Sequence, residues 1–302
     1  MASFLKRAEN RVTKAIVGVV MPDLAKQMDA EGLFTEEGQA SRDYLVVEDN
    51  GADVTIFSFS GFDVLYAGLA RFEFRNVLQR LGRKANLVFV RDVHKTGFHV
   101  RPDGGPGGLE FFEQEIRDVI ARLGSKHNVA IGSSSGGAAA LWFASRCQMQ
   151  EAVVFGAVLS ADGFTKPTHA LRTLCSFGRL VREPRAYFEM LIVTLGAWWG
   201  LKTINGRFRE DELMNPLAAY QQRAHALRTT FYYGAYSFAD AWHARQMAGF
   251  DDVRLVPLPT GRHNTPAFLK QRNQLAMALD AGISPPQWRL DTPQPERVAA
   301  IA

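Results

Sequence analysis

Short apolar runs alternate with amphipathic stretches along the middle of the chain. Runs of four to eight apolar or β-branched residues are typical of buried strands, and apolar positions three or four apart are typical of helices. Strands are predicted at 44–48, 54–59, 86–90, 128–131, 152–159, 229–233 and 253–258, and helices at 69–81, 109–123, 136–147, 240–248 and 265–279. Buried strands separated by helices predict an α/β fold, a mostly parallel sheet flanked by helices.

The first two predicted strands flank Asp49-Asn50-Gly51, a turn sequence that predicts a β-hairpin. The chain divides into four parts around this alternation: an N-terminal helical segment (1–40), the α/β core (41–163 and 227–283), an inserted group of Leu-, Phe- and Trp-rich helices (164–226) and an irregular, proline-rich tail (284–302).

Composition narrows the class of protein. The 302 residues are 47% hydrophobic and 22% charged, as in a globular protein with a sizeable core. The net charge of +4 is small, and the basic residues are scattered, so no nucleic-acid partner is predicted. Two cysteines provide neither a disulfide framework nor a zinc site. The apolar runs at 15–21 and 190–201 are too short for stable membrane insertion, so a cytoplasmic protein is predicted.

The strongest chemical signal is the sequence Gly132-Ser133-Ser134-Ser135-Gly136, between a predicted strand and a predicted helix. In a G-x-S-x-G motif the central serine occupies a strained turn, and the flanking glycines let strand and helix approach closely. Only Ser134 has glycines at both required offsets, so it is the predicted nucleophile.

With this motif and strand order, residues 44–280 resemble the α/β-hydrolase superfamily with a serine nucleophile. The resemblance implies that an acid and then a histidine follow the nucleophile along the chain. His263 matches the histidine position, because it follows the last predicted strand in a Gly/Pro loop. The insertion lies where the superfamily often carries a helical lid.

Two aspartates compete as the acid that orients the histidine. Asp240 follows the strand at 229–233 and also resembles the N-cap of the next helix. Asp162, after the preceding strand, is the alternative, because some superfamily members carry the acid there. Asp240 is preferred.

An oxyanion hole needs backbone N–H groups directed at developing negative charge. The resemblance assigns one to Ser135, which follows the nucleophile. The other is assigned by position to Phe62, in the loop after the strand at 54–59, with Gly61 as the alternative.

These residues predict a serine hydrolase that cleaves an ester, thioester or amide of a small, largely apolar acyl substrate through an acyl-enzyme. The alternatives are an acyltransferase with the same triad and a catalytically inactive binding protein. No cofactor and no metal is predicted: His94 and His99 are five residues apart but have no Cys or carboxylate pattern beside them. The oligomeric state is open, with a homodimer as one option.

Overall fold

The computed structural model describes residues 43–61, 72–160 and 212–283, together with eight isolated positions between 168 and 208. The strands in these ranges are β1 (Leu45–Glu48), β2 (Val54–Phe59), β3 (Asn86–Val90), β4 (His127–Ser133), β5 (Glu151–Phe155), β6 (Arg228–Gly234) and β7 (Val253–Leu258). The helices are α1 (Arg75–Gln79), α2 (Gly108–Leu123), α3 (Ser135–Arg146), α4 (Pro216–Gln222), α5 (Phe238–Gln246), α6 (Thr265–Gln271) and α7 (Leu275–Gly282).

The strands form one sheet in the order β1-β3-β2-β4-β5-β6-β7. Only β1 runs antiparallel to its neighbour, and all the other pairs are parallel. The predicted fold class, a mostly parallel sheet flanked by helices, is therefore confirmed. The carboxyl ends of the parallel strands meet at one edge of the sheet, where open α/β sheets carry their ligands.

The predicted hairpin is wrong, because β3 lies between β1 and β2. The side chain of Asn86, at the start of β3, organises the connection between these two strands. Its Oδ1 accepts hydrogen bonds from the backbone N–H groups of Asn50 and Ala52, and its Nδ2 donates to the carbonyl of Ala52. These bonds hold the connection beside β3, so the turn sequence does not close a hairpin.

Three other predicted elements differ from their predicted bounds by more than two residues. In the described part of the helix predicted at 69–81, only α1 (Arg75–Gln79) is helical. The apolar run at 152–159 leaves the sheet after Phe155, because Gly156 adopts a left-handed conformation (φ 54°). The run stays apolar because Ala157 and Leu159 are buried outside the sheet. The predicted helix at 265–279 is two helices, α6 and α7, separated at Asn273, which is also left-handed (φ 57°).

The core has two apolar layers, one on each face of the sheet. In β2, Phe57 and Phe59 belong to a cluster with residues of α2 and α3, whereas Val54 and Ile56 belong to a cluster with residues of α6 and α7. This alternation follows from the two-residue period of a strand. It explains why a central strand such as β2 is apolar on both faces.

Several predicted segments lie outside the described residues: the N-terminal segment 1–40, most of the insertion 164–226, and the tail 284–302. Within the insertion, residues 212–226, which include α4, and the isolated positions are described. Among the described residues, no helix combines the length and apolar character needed to cross a membrane.

His99 connects the loop after β3 to the chain just before α4. Its Nε2 accepts a hydrogen bond from the backbone N–H of Met214 (2.9 Å), so Nδ1 carries the proton and donates to the carbonyl of Thr96 (2.6 Å). Burial lowers the pKa of His99, an effect that its hydrogen bond to Thr96 and the charges of Asp92 and Glu110 oppose. The neutral ring is therefore the form that stabilises this connection.

Acid should weaken this connection. Because the pKa of His99 is lower in the folded protein, its stabilising contribution is complete above the unfolded pKa of about 6.5 and is lost as the pH falls towards the folded pKa. Between about pH 7.5 and about pH 5, we expect the wild-type protein to lose more stability than a His99→Gln variant, whose side chain does not titrate. Urea unfolding at both pH values measures this, and equal losses would contradict it.

Candidate active site

Ser134 lies at the sharp turn between β4 and α3, in the centre of the sheet. Its backbone has φ 55° and ψ −121°, a combination that residues with a side chain rarely adopt. The turn is held by a hydrogen bond from the N–H of Ser134 to the carbonyl of Phe155 on β5 (2.9 Å). Such strain persists only where the surrounding structure fixes it, and it is common at reactive positions.

The two glycines of the motif are required by the closeness of the backbone around this turn. A Cβ on Gly132 would lie 2.1 Å from the carbonyl oxygen of Gly136. A Cβ on Gly136 would lie 2.4 Å from the carbonyl oxygen of Phe59, at the end of β2. Both contacts are with backbone, so a side chain could be accommodated only if a strand or helix moved.

A Gly132→Ala exchange should therefore disrupt this turn. We expect it to lower the free energy of unfolding by about 3 kcal/mol, the upper part of the range for overpacked sites, because backbone cannot rotate out of the way. Gly249→Ala is the matched control, since a Cβ on Gly249 meets no atom within 4 Å. Denaturant unfolding of both variants measures the difference. Equal stability of the two would refute this explanation of the motif.

His263 lies in the loop between β7 and α6 and reaches the serine. Its Nε2 is 2.7 Å from Ser134 Oγ, and the residue is only 3% exposed. The loop is tightened by a hydrogen bond from the N–H of Thr265 to the carbonyl of His263 (2.8 Å). The imidazole is thus held within hydrogen-bonding distance of the hydroxyl.

Asp240 completes a chain of three polar groups. Its Oδ1 lies 2.7 Å from Nδ1 of His263, and its Oδ2 lies 3.4 Å from the backbone nitrogen of Gly234. Because a carboxylate only accepts hydrogen bonds, Nδ1 of His263 carries the proton and Nε2 accepts from Ser134. The structure thus brings Ser134, His263 and Asp240 together, whereas Asp162 lies outside the described residues.

The sequence position of Asp240 suggested the N-cap of α5, but Asp240 does not occupy it. Ser237 occupies that position, and its Oγ accepts a hydrogen bond from the N–H of Asp240 (3.3 Å). The carboxylate of Asp240 is therefore not needed to cap the helix, and it turns towards His263.

Two glycines that the sequence analysis did not single out lie beneath the His263–Asp240 pair. A Cβ on Gly156 would lie 3.5 Å from both Nδ1 of His263 and Oδ2 of Asp240. A Cβ on Gly234 would lie 2.8 Å from the carbonyl oxygen of Arg262. Their sequence signal is a glycine at the carboxyl end of a largely apolar or aromatic strand, Gly156 directly after β5 and Gly234 as the last residue of β6.

The loop after β2 lies against the first turn of α3. A Cβ on Gly136 would lie 2.8 Å from the backbone nitrogen of Gly61, and a Cβ on Gly61 would lie 3.1 Å from Oγ of Ser135. Gly61 is therefore next to the residue that follows the serine. Phe62, the preferred donor in the sequence analysis, lies outside the described residues.

Among residues 43–61, 72–160, 212–283 and the isolated positions, no group of three or more His, Cys, Asp or Glu side chains is arranged to hold a metal ion. His94 and His99 do not form such a group. His99 uses both ring nitrogens in backbone hydrogen bonds, and Nε2 of His94 lies 3.2 Å from the carbonyl oxygen of Pro102.

No protein-family model and no curated protein sequence matches this chain. It is similar in structure to a glycosylation-associated protein (Gap123) complex from Streptococcus agalactiae, at 12% identity and a TM-score of 0.49 over 77% of this chain and 43% of that chain. This chain thus spans less than half the length of that one.

Two further similar structures are an esterase (EaEST) from Exiguobacterium antarcticum and a capsule O-acetyltransferase of Neisseria meningitidis serogroup A. The first is 15% identical, with a TM-score of 0.47 over 78% of this chain and 94% of that chain. The second is 16% identical, with a TM-score of 0.46 over 76% of this chain and 87% of that chain. At these identities and scores, no activity is transferred from them.

The fold is established by the chain's own topology. The order β1-β3-β2-β4-β5-β6-β7 has one antiparallel edge strand, and the sharp turn at Ser134 joins the central strand β4 to a helix. The described part of the chain therefore has the α/β-hydrolase fold, as the resemblance of its sequence predicted.

Proposed function

We propose that the protein is a serine hydrolase that cleaves an ester, thioester or amide through an acyl-enzyme on Ser134. The observation that supports this most strongly is the chain of two 2.7 Å contacts from Ser134 Oγ to His263 and from His263 to Asp240. A nucleophile within hydrogen-bonding reach of a base, itself oriented by a third group, is the arrangement that activates a serine.

In the acylation step, Ser134 Oγ attacks the substrate carbonyl carbon while its proton moves to Nε2 of His263. Asp240 accepts the hydrogen bond from Nδ1 and stabilises the imidazolium that forms. His263 then donates its proton to the leaving group, and the acyl group remains on Ser134. In the second step water attacks the acyl carbon while His263 accepts a proton from it. The bond from that carbon to Ser134 Oγ then breaks, the acid product leaves, and His263 returns the proton to Oγ.

The negative charge on the carbonyl oxygen requires nearby donors. We assign one to the backbone N–H of Ser135 and the other to the loop after β2, through Phe62 or Gly61. The proximity of Gly61 to Ser135 supports a donor from this loop. Removing one such donor typically costs ~100-fold to ~1,000-fold in kcat.

A small, largely apolar acyl group is the proposed substrate class. Met190, from the insertion, is buried, and its Sδ lies 3.7 Å from Oγ of Ser237, three residues before Asp240. Met190 thus places an apolar side chain of the insertion against the N-cap of the helix that carries Asp240. Pockets lined by apolar side chains with a few polar groups suit small acyl substrates.

A panel of p-nitrophenyl esters from acetyl to octanoyl tests this proposal. We expect turnover with short and medium chains, and no turnover by Ser134→Ala. Added hydroxylamine distinguishes hydrolysis from acyl transfer: if the acyl-enzyme reacts slowly with water and rapidly with hydroxylamine, the protein is an acyltransferase. Folded protein that turns over no ester and takes up no acyl group would favour the inactive binding protein.

A further inference from the structure

We propose that His243, which lies outside the chain of three polar groups, is a positioning residue for the nucleophile. From α5 it holds the segment 156–159 that follows β5, named here the β5 strap, and this strap holds Ser134 in its strained turn. The inference rests on the proposed function only in taking Ser134 as the reacting group.

The end of β5 and the β5 strap each form one hydrogen bond with the backbone of Ser134. The N–H of Ser134 donates to the carbonyl of Phe155 (2.9 Å), and the N–H of Val158 donates to the carbonyl of Ser134 (3.2 Å). These two bonds hold the backbone of Ser134 at φ 55°. Because a strained conformation persists only where its surroundings fix it, loosening the strap should let Ser134 Oγ move.

The same strap also lies beside the other two groups. A Cβ built on Gly156 would lie 3.5 Å from Nδ1 of His263 and from Oδ2 of Asp240, and the N–H of Gly156 donates to the carbonyl of Tyr232 on β6 (2.7 Å). The β5 strap is therefore hydrogen-bonded to the backbone of Ser134 and lies beside His263 and Asp240.

His243 holds the far end of this strap. Its Nδ1 accepts a hydrogen bond from the backbone N–H of Leu159 (3.3 Å), and the residue is completely buried. Burying an imidazole costs more free energy than burying an apolar side chain of similar size unless its ring nitrogens form hydrogen bonds. Here the acceptor satisfies a backbone N–H next to Val158, the residue that donates to Ser134.

Asp240 and His243 lie one turn apart on α5. The first orients His263, and the second fixes the strap that holds Ser134. One helix therefore sets the positions of base and nucleophile relative to each other. The expected consequence of losing the His243 contact is a slower reaction at Ser134 with little change in how strongly a substrate or probe binds.

Two variants at position 243 distinguish a loss of positioning at Ser134 from a general loss of folding. His243→Leu replaces the acceptor by an apolar side chain that still fills the buried position, and His243→Asn keeps an acceptor close to the position of Nδ1. With a fluorophosphonate probe, we expect His243→Leu to lower the maximal rate of labelling at Ser134 about tenfold, since small misplacements of reacting groups cost up to ~100-fold. The probe's binding constant should change less than about twofold, and His243→Asn should restore most of the rate.

Met247→Ala is the matched control for stability. Met247 is also completely buried and lies four residues further along the chain, at the end of α5. We expect this variant to lower the melting temperature and to keep the wild-type labelling rate at a temperature where it is folded. If it slows labelling as much as His243→Leu does, or if His243→Asn restores nothing, positioning by His243 is refuted.

Amide hydrogen exchange tests the contact without using activity. We expect faster exchange at Val158 and Leu159 in His243→Leu, and near wild-type exchange in His243→Asn. Unchanged exchange in His243→Leu would overturn the proposal. Wild-type protein that takes up no probe would instead overturn the proposed function, while the exchange measurement would still decide whether His243 holds the strap.

Discussion

Replacing Ser134 with alanine is expected to lower kcat by about a million-fold on any ester that the wild-type protein hydrolyses, as loss of an activated nucleophile does in serine hydrolases. The alanine removes the hydroxyl that lies 2.7 Å from Nε2 of His263. It leaves the backbone turn in place, so the fold should be retained. Steady-state kinetics together with a melting curve of the variant measure both effects.

The neighbouring serine provides the control for this exchange. Ser133 is the last residue of β4, and its side chain has no place in the proposed mechanism. Ser133→Ala should therefore keep kcat within a few-fold of wild type, because ordinary substitutions near a site do not remove the nucleophile. Equal losses in Ser133→Ala and Ser134→Ala would mean that disruption of the turn, rather than loss of the hydroxyl, causes inactivity.

Asp240→Asn should give the second largest loss, about 10,000-fold in kcat, with little change in structure. An amide at this position can donate to Nδ1 of His263, which would move the ring proton to Nε2. The ring would then be unable to accept the proton of Ser134. Measuring kcat across the pH range on the variant tests this, since a tautomer effect lowers the rate at every pH.

The same exchange at Asp162 distinguishes the two candidate acids. We expect Asp162→Asn to retain most activity, because Asp240 already lies 2.7 Å from Nδ1 of His263. If Asp162→Asn is the damaging change and Asp240→Asn is mild, Asp240 is not the acid. A loss of activity in both variants requires a check that each is folded before either role is assigned.

Much of the fold could be predicted from local pattern. The two-residue period of the strands and the strand–glycine–helix sequence around Ser134 are local features, and they predicted the parallel sheet. Local sequence could not decide whether β1 and β2 pair as a hairpin. The connection between them is held by the side chain of Asn86, more than 30 residues away along the chain, which accepts hydrogen bonds from Asn50 and Ala52.

The residues of the site also divide into those that local sequence predicts and those that depend on distant contacts. Ser134 and His263 could be singled out by a short motif and by chain order, which depend little on distant contacts. The preference for Asp240 over Asp162 rested on chain order alone, because each follows a predicted strand and no local feature separates them. The proposed roles of Gly156 and His243 depend on the bend after β5, where the apolar run continues to Leu159 and only Gly156 interrupts it.

The central claim is that Ser134 reacts covalently. It is tested most directly by incubating folded wild-type protein with a fluorophosphonate and locating the adduct by intact mass and peptide mapping. One adduct per chain, on Ser134, absent from Ser134→Ala and slowed in Asp240→Asn, is the predicted result. Folded protein that gains no mass, or that carries the adduct on Ser133 or Ser135, would contradict the assignment of the nucleophile.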